Sequence, residues 1–500
     1  MQLRAITVAY ATMAMLSSGV LAKSDTCKLI KTQSSSIAEY SGIFNREYNK
    51  ETGEYWSQGC AGLKPDCVLE PQNAQEVSQL MKVLAGNSDE FAIKSGGHNP
   101  NNRYASVKDG VLISTKKMNE VTIDRARGVV TVGPGNRWDD VFKGLEGSGL
   151  AVVGGRMGNV GVGGFLLGGG LSFLSTQYGW AANNIVEFEL VTPNGTIATV
   201  SADKHPDVFE VLKGGGNNFG IVTKYVLKAH PIGKVWGGNV MYGKEKTGEL
   251  LALIRDFTEH YDDPKAAIIA TVQLTVLNAI EMWTLFLFYD GPTPPAGIFD
   301  KFDKVGPTIN NCKTREYGEL LSYNNWAVLH GSRYVIATET TPLPPASDNG
   351  NMMRAYFDHW RSTSKKRAGE LGIISSMAFQ PIPKSLTRIA RASGGDMLDL
   401  DDAADRIMFE FNYSYLLGTS DKAIDKTTVE LTTGIKSLVD GFVQAGRLPN
   451  VHNPLFLNDA YYRQGYFSRL RPEKRQKAVN VRKNLDPQGL FALRTGGPKV

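Results

Sequence analysis

Cysteine is scarce in this chain of 500 residues, with four in all, at positions 27, 60, 67 and 312. None of them forms a C-x-x-C unit, so a structural zinc site is disfavoured and no metal is expected. Charge of one sign is also scarce. The formal net charge is +5 and no basic run occurs, which argues against nucleic acid as a partner. Long hydrophobic runs are nearly missing as well. One mostly apolar stretch, residues 5–21, follows Arg4 and ends at Val20 and Ala22, residues small enough for the −3 and −1 positions of a cleavage site. Thr7, Thr12, Ser17, Ser18 and Gly19 make it a poor bilayer span, so residues 1–22 read as a secretion signal cleaved near Ala22. No other segment is long and apolar enough to anchor the chain in a membrane. In an oxidising compartment an even number of cysteines suggests bridges, and the three near the N-terminus are expected to share one. The sequon at Asn194-Gly195-Thr196 fits secretion, whereas Asn412-Tyr413-Ser414 lies in a strand-like run.

Glycine, by contrast, is abundant and concentrated. Residues 154–170 hold nine glycines in seventeen positions, a composition of neither helix nor strand. Such density marks backbone that turns through positive φ and comes close to a ligand with its N–H groups free to face it. A phosphate-bearing cofactor is the natural partner. The dinucleotide fingerprint is excluded there, because Gly161 and Gly163 are followed by Leu166 where a third glycine is required. A second loop, Ser95-Gly96-Gly97-His98, ends in a lone histidine. Two glycine loops and a histidine at a loop tip fit a flavin better than a nicotinamide.

Five hundred residues exceed one core, so at least two domains are expected. Residues 67–70 and 91–94 read as strands flanking a helix capped by Asn73, with Val77, Leu80, Met81 and Leu84 as its buried stripe. That strand–helix–strand unit predicts a parallel pair delivering residues 95–98 at its carboxyl edge. Short strands follow at 111–114, 121–124 and 129–132, and a hairpin at 185–192 and 196–200 turns through Pro193-Asn194-Gly195. A third glycine loop, 213–220, runs into a strand at 221–229. Beyond about residue 233 the glycine loops thin out. Helices at 248–261 and 351–365 and strands at 267–276 and 280–289 predict a sheet backed by helices, and no internal repeat is visible.

The motifs Ser95-Gly96-Gly97-His98, Val160-Gly161-Val162-Gly163-Gly164, Gly168-Gly169-Gly170, the stretch from Lys213 through Asn217-Asn218-Phe219-Gly220-Ile221-Val222-Thr223, and Asp486-Pro487 with Phe491 occur in this order. Together they resemble the berberine-bridge-enzyme-like branch of the vanillyl-alcohol-oxidase superfamily, and the terminal Gly496-Gly497-Pro498-Lys499 is similar to its fungal, secreted members. The resemblance covers nearly the whole chain beyond the signal. It implies an α+β, two-domain fold of the PCMH type: an FAD-binding domain at 23–233, a substrate domain of antiparallel sheet backed by helices at 234–454, and a segment at 455–500 returning to the first. FAD is the implied cofactor, near Ser95, Gly96, Gly97, Gly155, Val160, Gly161, Gly163, Gly164, Gly220, Ile221, Val222 and Asn458. His98 matches the position that bonds the flavin 8α carbon. Many members add a second link from a cysteine where this chain has Met157, so a single link through His98 is expected.

The resemblance also frames the chemistry as hydride loss from an alcohol or amine of a small metabolite, with reoxidation by dioxygen to hydrogen peroxide and the protein acting as a monomer. Sugar oxidases of the family place an aromatic residue where Pro100 stands and an Asn-Tyr-Ala where Asn458-Asp459-Ala460 stands, which weakens a carbohydrate reading. The base must then be another group. Glu410 lies opposite in face to Phe409 and Phe411 by strand alternation and resembles the active-site glutamate of berberine-forming members. Asp459 is the competing base, and Tyr462 a further candidate beside Tyr461. Val160 matches the gate to the flavin face, and valine there accompanies oxidases.

Overall fold

The computed structural model describes residues 24–34, 36–275 and 280–500. The secretion signal expected at residues 1–22 lies outside the described residues. Three sheets of four or more strands organise the described residues. The first has the order Ala38–Tyr40, Cys67–Glu70, Val111–Ser114, Phe91–Lys94. Its strands Cys67–Glu70 and Phe91–Lys94 run parallel as expected, but they are not neighbours. Val111–Ser114 lies between them and pairs in parallel with both. The reason is burial: Val111, Leu112 and Ile113 are each at most 1% exposed, and a strand apolar on both faces takes the centre of a parallel sheet. Helix Ala74–Ala85 crosses over this sheet, with Asn73 Oδ1 accepting from the Glu76 N–H at 3.0 Å and the Glu76 carboxylate accepting from the Gln72 N–H. A disulfide joins Cys27 of helix Asp25–Gln33 to Cys67, one bridge among the first three cysteines; Cys60 and Cys312 carry free thiols.

The second sheet is antiparallel: Val121–Asp124, Val129–Val132, Ile221–Lys228, Ile185–Val191 and Ile197–Ser201. Its last pair is the hairpin expected around Gly195. The third and largest sheet places Val235–Gly243, Ile280–Tyr289, Ala266–Thr275, Ile374–Ile382, Arg406–Tyr415 and Arg333–Pro342 side by side, all antiparallel. Helices Thr247–Glu259, Asn351–Lys365 and Asp421–Gln444 back it through a core containing Trp283, Trp360, Phe379 and Phe409. The final segment then returns to the start of the chain. Phe491 meets Phe91 edge to face at 5.4 Å, and Lys474 and Lys477 of helix Pro472–Leu485 bind Glu210. Mixed helix and sheet in two domains is the α+β architecture expected. Among the described residues, no helix is long and apolar enough to cross a membrane.

Candidate active site

Strand Phe91–Lys94 releases the chain into residues 95–98 at its carboxyl end, and this loop crosses the glycine tract. The crossing leaves no room for side chains. A Cβ on Gly161 would lie 2.3 Å from the Gly96 nitrogen, and one on Gly96 would lie 2.5 Å from the Gly161 Cα. Ser95 Oγ locks the two segments, donating to the Pro134 carbonyl at 2.6 Å and accepting from the Gly163 N–H at 3.1 Å. Gly97 then turns through φ +67°, where a side chain would strike the Glu54 carbonyl. His98 follows, half-buried, its ring stacked on Trp56 at 4.5 Å and 6°, and Trp56 stacks in turn on Tyr334 of the third sheet. Burial, helped by Arg137 and His330, pulls the imidazole down to about 3, so it is neutral at any ordinary pH.

These loops wall a cavity of about 310 Å³. Ser95, Gly96, Gly97, His98, Gly155, Val160, Gly161, Gly163, Gly164, Gly220, Ile221, Val222 and Asn458 all line it, as do Glu410 and Asp459. So does Met157, which packs beside Trp56 and Tyr334. Tyr462 does not. It is 48% exposed, its hydroxyl donates to Asp425, and its N–H donates to Asn101, so the residue sits at the surface, sharing Asp425 with Arg463 and the buried Tyr461. The amide of Asn458 serves the glycine tract, accepting from the Gly170 N–H at 3.1 Å and donating to the Phe165 carbonyl at 3.1 Å.

At the Glu410 end the wall is made of side chains. Phe409 and Phe411 are in the core of the third sheet, and alternation turns Glu410 to the cavity, where it accepts from the Asn412 amide at 2.6 Å. The glycosylation motif at Asn412 is thus internal, whereas Asn194 is exposed. Asp459, 7% exposed, accepts from Gln380 Nε2 at 3.2 Å. Burial and the Glu410 charge hold its carboxyl well above the usual range, against the pull of Arg156. Arg156 reaches the same place, donating from Nη2 to Gln380 Oε1 at 2.5 Å. Neither Arg156 nor Gln380 was selected by motif. A lone cation inside the glycine tract was a usable signal for the first; a single glutamine in a strand was none for the second.

The cavity fits an extended cofactor with phosphates. The backbone N–H groups of Gly96, Gly97, His98 and Asn99 donate to no other described residue, and a Cβ on Gly164 would meet nothing within 4 Å. The lining continues from Glu410 and Asp459 to Asn217 of the third glycine loop and Gly497 and Pro498 of the C-terminus.

Comparison with known proteins agrees. Residues 65–201 match the family of FAD binding domains. An uncharacterised FAD-linked oxidoreductase of Arthroderma benhamiae is 39% identical over 454 residues, 90% of each chain. The FAD-dependent monooxygenase FUP4 of Fusarium proliferatum is 29% identical, covering 89% of this chain and 87% of its own. Among solved structures, 6-hydroxy-D-nicotine oxidase of Arthrobacter nicotinovorans superposes with TM-score 0.71 at 21% identity, over 91% of this chain and 96% of that one. Berberine bridge enzyme of Eschscholzia californica superposes with TM-score 0.73 at 16% identity, over 95% and 98%. The chain belongs to the FAD-linked oxidoreductases, and it has the fold of berberine bridge enzyme and 6-hydroxy-D-nicotine oxidase.

Proposed function

We propose that this protein is a secreted FAD-dependent oxidase that takes a hydride from an alcohol or amine C–H of a small metabolite and holds its flavin by one covalent bond to His98. The observation that carries this reading is the His98 ring, presented to the cavity at the tip of a loop locked across the glycine tract. FAD bound in this cavity would supply the hydride acceptor, and dioxygen would take up the two electrons with two protons to give hydrogen peroxide. An unprotonated ring nitrogen on His98 has the free lone pair that bond formation requires. Met157 offers a thioether with no proton to lose, so a second link from that position is not made. Glu410 is the base, taking the substrate proton as the hydride leaves. Asp459, whose carboxyl favours its protonated form, is left to donate a hydrogen bond. Secretion is supported by the Cys27–Cys67 bridge and by the exposed sequon at Asn194.

The test of the link is direct. Acid-denatured protein should give a yellow, fluorescent pellet, and His98→Ala should release the colour to the supernatant. Colour that washes out of the wild type, or stays bound in His98→Ala, would overturn the assignment. Oxidase action is tested at Val160, which lines the cavity beside the glycine tract. Val160→Leu should slow reoxidation of photoreduced enzyme by aerated buffer while anaerobic flavin reduction stays near wild type. A wild type reoxidised rapidly by a quinone and slowly by dioxygen would be a dehydrogenase.

A second reading has specific support, since several relatives of 27–31% identity carry the name FAD-dependent monooxygenase. Isotopically labelled dioxygen separates the two. Label recovered in peroxide supports the oxidase, and label in the organic product supports oxygen insertion.

A further inference from the structure

Arg156 is a cation with no anion attached. It lines the cavity at the Glu410 end, yet it makes salt-bridge contact with neither Glu410 nor Asp459. Its one side-chain hydrogen bond to a described residue goes from Nη2 to Gln380 Oε1, at 2.5 Å. Gln380 is 1% exposed on strand Ile374–Ile382, and its other amide atom donates to Asp459 Oδ2, so both ends of the amide are committed and its orientation is fixed. The Arg156 backbone is held as well, its carbonyl accepting from Asn324 Nδ2 at 3.1 Å. Nε and Nη1 donate to no described residue. A guanidinium carries five donors in a rigid plane, and half-buried Arg156 keeps those left free open to what enters the cavity. Held in place on one side and free on the other, this group is built to meet an acceptor that enters the cavity.

We propose that Arg156 is a substrate-binding residue whose guanidinium donates to a carbonyl oxygen of the metabolite, with Gln380 as its positioning partner. The inference rests on the oxidase reading and narrows its substrate class, from any alcohol or amine to one with a carbonyl oxygen within reach of the oxidised carbon. Charge selects the carbonyl over its alternatives. Glu410 and Asp459 already bring two carboxyl groups to the Arg156 end of the cavity, so a neutral oxygen acceptor adds no further negative charge there. A carboxylate would enter beside those two carboxyl groups, and a protonated amine would face the guanidinium. The flat fork of arginine also suits an sp² oxygen better than a lysine would.

The flavin-loaded enzyme is titrated by calorimetry with acetophenone, with ethylbenzene as the same shape without the oxygen, and with benzoate. Acetophenone is expected to bind the wild type more tightly than ethylbenzene. Arg156→Met should weaken acetophenone by about 10–100-fold and leave ethylbenzene unchanged. The carbonyl stretch of bound acetophenone should fall to lower frequency in the wild type, lose that shift in Arg156→Met and recover part of it in Arg156→Lys. Gln380→Leu should weaken acetophenone with the flavin still linked, which keeps the test decisive where Arg156→Met does not fold. Equal binding of acetophenone and ethylbenzene, or an unchanged stretch in Arg156→Met, would overturn the proposal. Benzoate binding more tightly than acetophenone would overturn the neutral carbonyl in favour of a carboxylate. A wild type that purifies without flavin would overturn the oxidase reading and this inference with it, whereas a flavin-loaded enzyme indifferent to Arg156 would overturn this inference alone.

Discussion

Around His98 the cavity wall is backbone, and around Glu410 it is side chain. At the first end two glycine segments cross so closely that neither Gly96 nor Gly161 has space for a methyl group, and a serine hydroxyl locks the crossing. At the second end a regular strand of the third sheet turns one face to the core and the other to the cavity, where Glu410 shares the lining with Arg156 and, from the C-terminal segment, Asp459. The first end constrains geometry and tolerates no added atoms. The second constrains chemistry and tolerates exchange, because any residue of similar size keeps the strand paired. One fold can thus keep its cofactor fixed while its substrate varies.

Substitution should break the first end outright. Gly161→Val places side-chain atoms onto the Gly96 nitrogen in a backbone contact that cannot relax. We expect no folded, flavin-carrying protein, measured as soluble yield and flavin absorbance per chain. Gly164→Ala sharpens the point: it lines the same cavity, but its Cβ would meet nothing, so it should fold with a Tm near wild type. A folded, fully flavinylated Gly161→Val would show that the crossing is looser than it stands here.

The same exchange logic predicts a smaller, purely kinetic effect at the other end. Glu410→Gln keeps the size of the side chain and an acceptor for the Asn412 amide. It should fold normally, keep its linked flavin, and reduce that flavin about 10²–10⁴-fold more slowly, followed anaerobically by stopped flow. If Asp459→Asn shows this loss and Glu410→Gln does not, the base is Asp459.

The contrast also explains what was legible from the sequence. The backbone end is written in contiguous residues, because a close crossing demands glycine at fixed positions; Gly96, Gly97, Gly155, Gly161, Gly163, Gly164 and Gly220 line the cavity as expected, whereas Gly169 and Gly170 of the same tract do not. Glu410 was legible by phase alone, since period-two alternation sets it opposite two core phenylalanines. Gln380 was not legible, because its importance arises from Arg156 and Asp459, which lie 224 and 79 residues away in sequence. Tyr462 was misplaced for a related reason. Two adjacent tyrosines leave open which one faces inward, and here Tyr461 is buried against the core of the third sheet while Tyr462 lies at the surface, both hydroxyls donating to Asp425. The order of the first sheet was missed because local pattern gives strand direction but not which strand is inserted between two others.

The smallest effect is one of pH, and it tests whether the side-chain end carries a stored protonation cost. Asp459 has a folded-state pKa raised well above its unfolded value near 4, by burial first and by the Glu410 charge second. A group raised in this way binds its proton more tightly in the native state. Its contribution to stability is therefore fully present below the unfolded value and is lost as pH rises through the folded one, with a slope of at most about 1.4 kcal/mol per pH unit. Asp459→Asn keeps the shape and the acceptor for Gln380 Nε2 but cannot ionise. Thermal melts of the two proteins, taken from mildly acidic to mildly alkaline pH, should therefore diverge, the wild type losing Tm with rising pH faster than the variant. Parallel curves would mean that Asp459 ionises in the folded protein as easily as in the unfolded chain, and its neutral form could then no longer be the reason that the base role falls to Glu410.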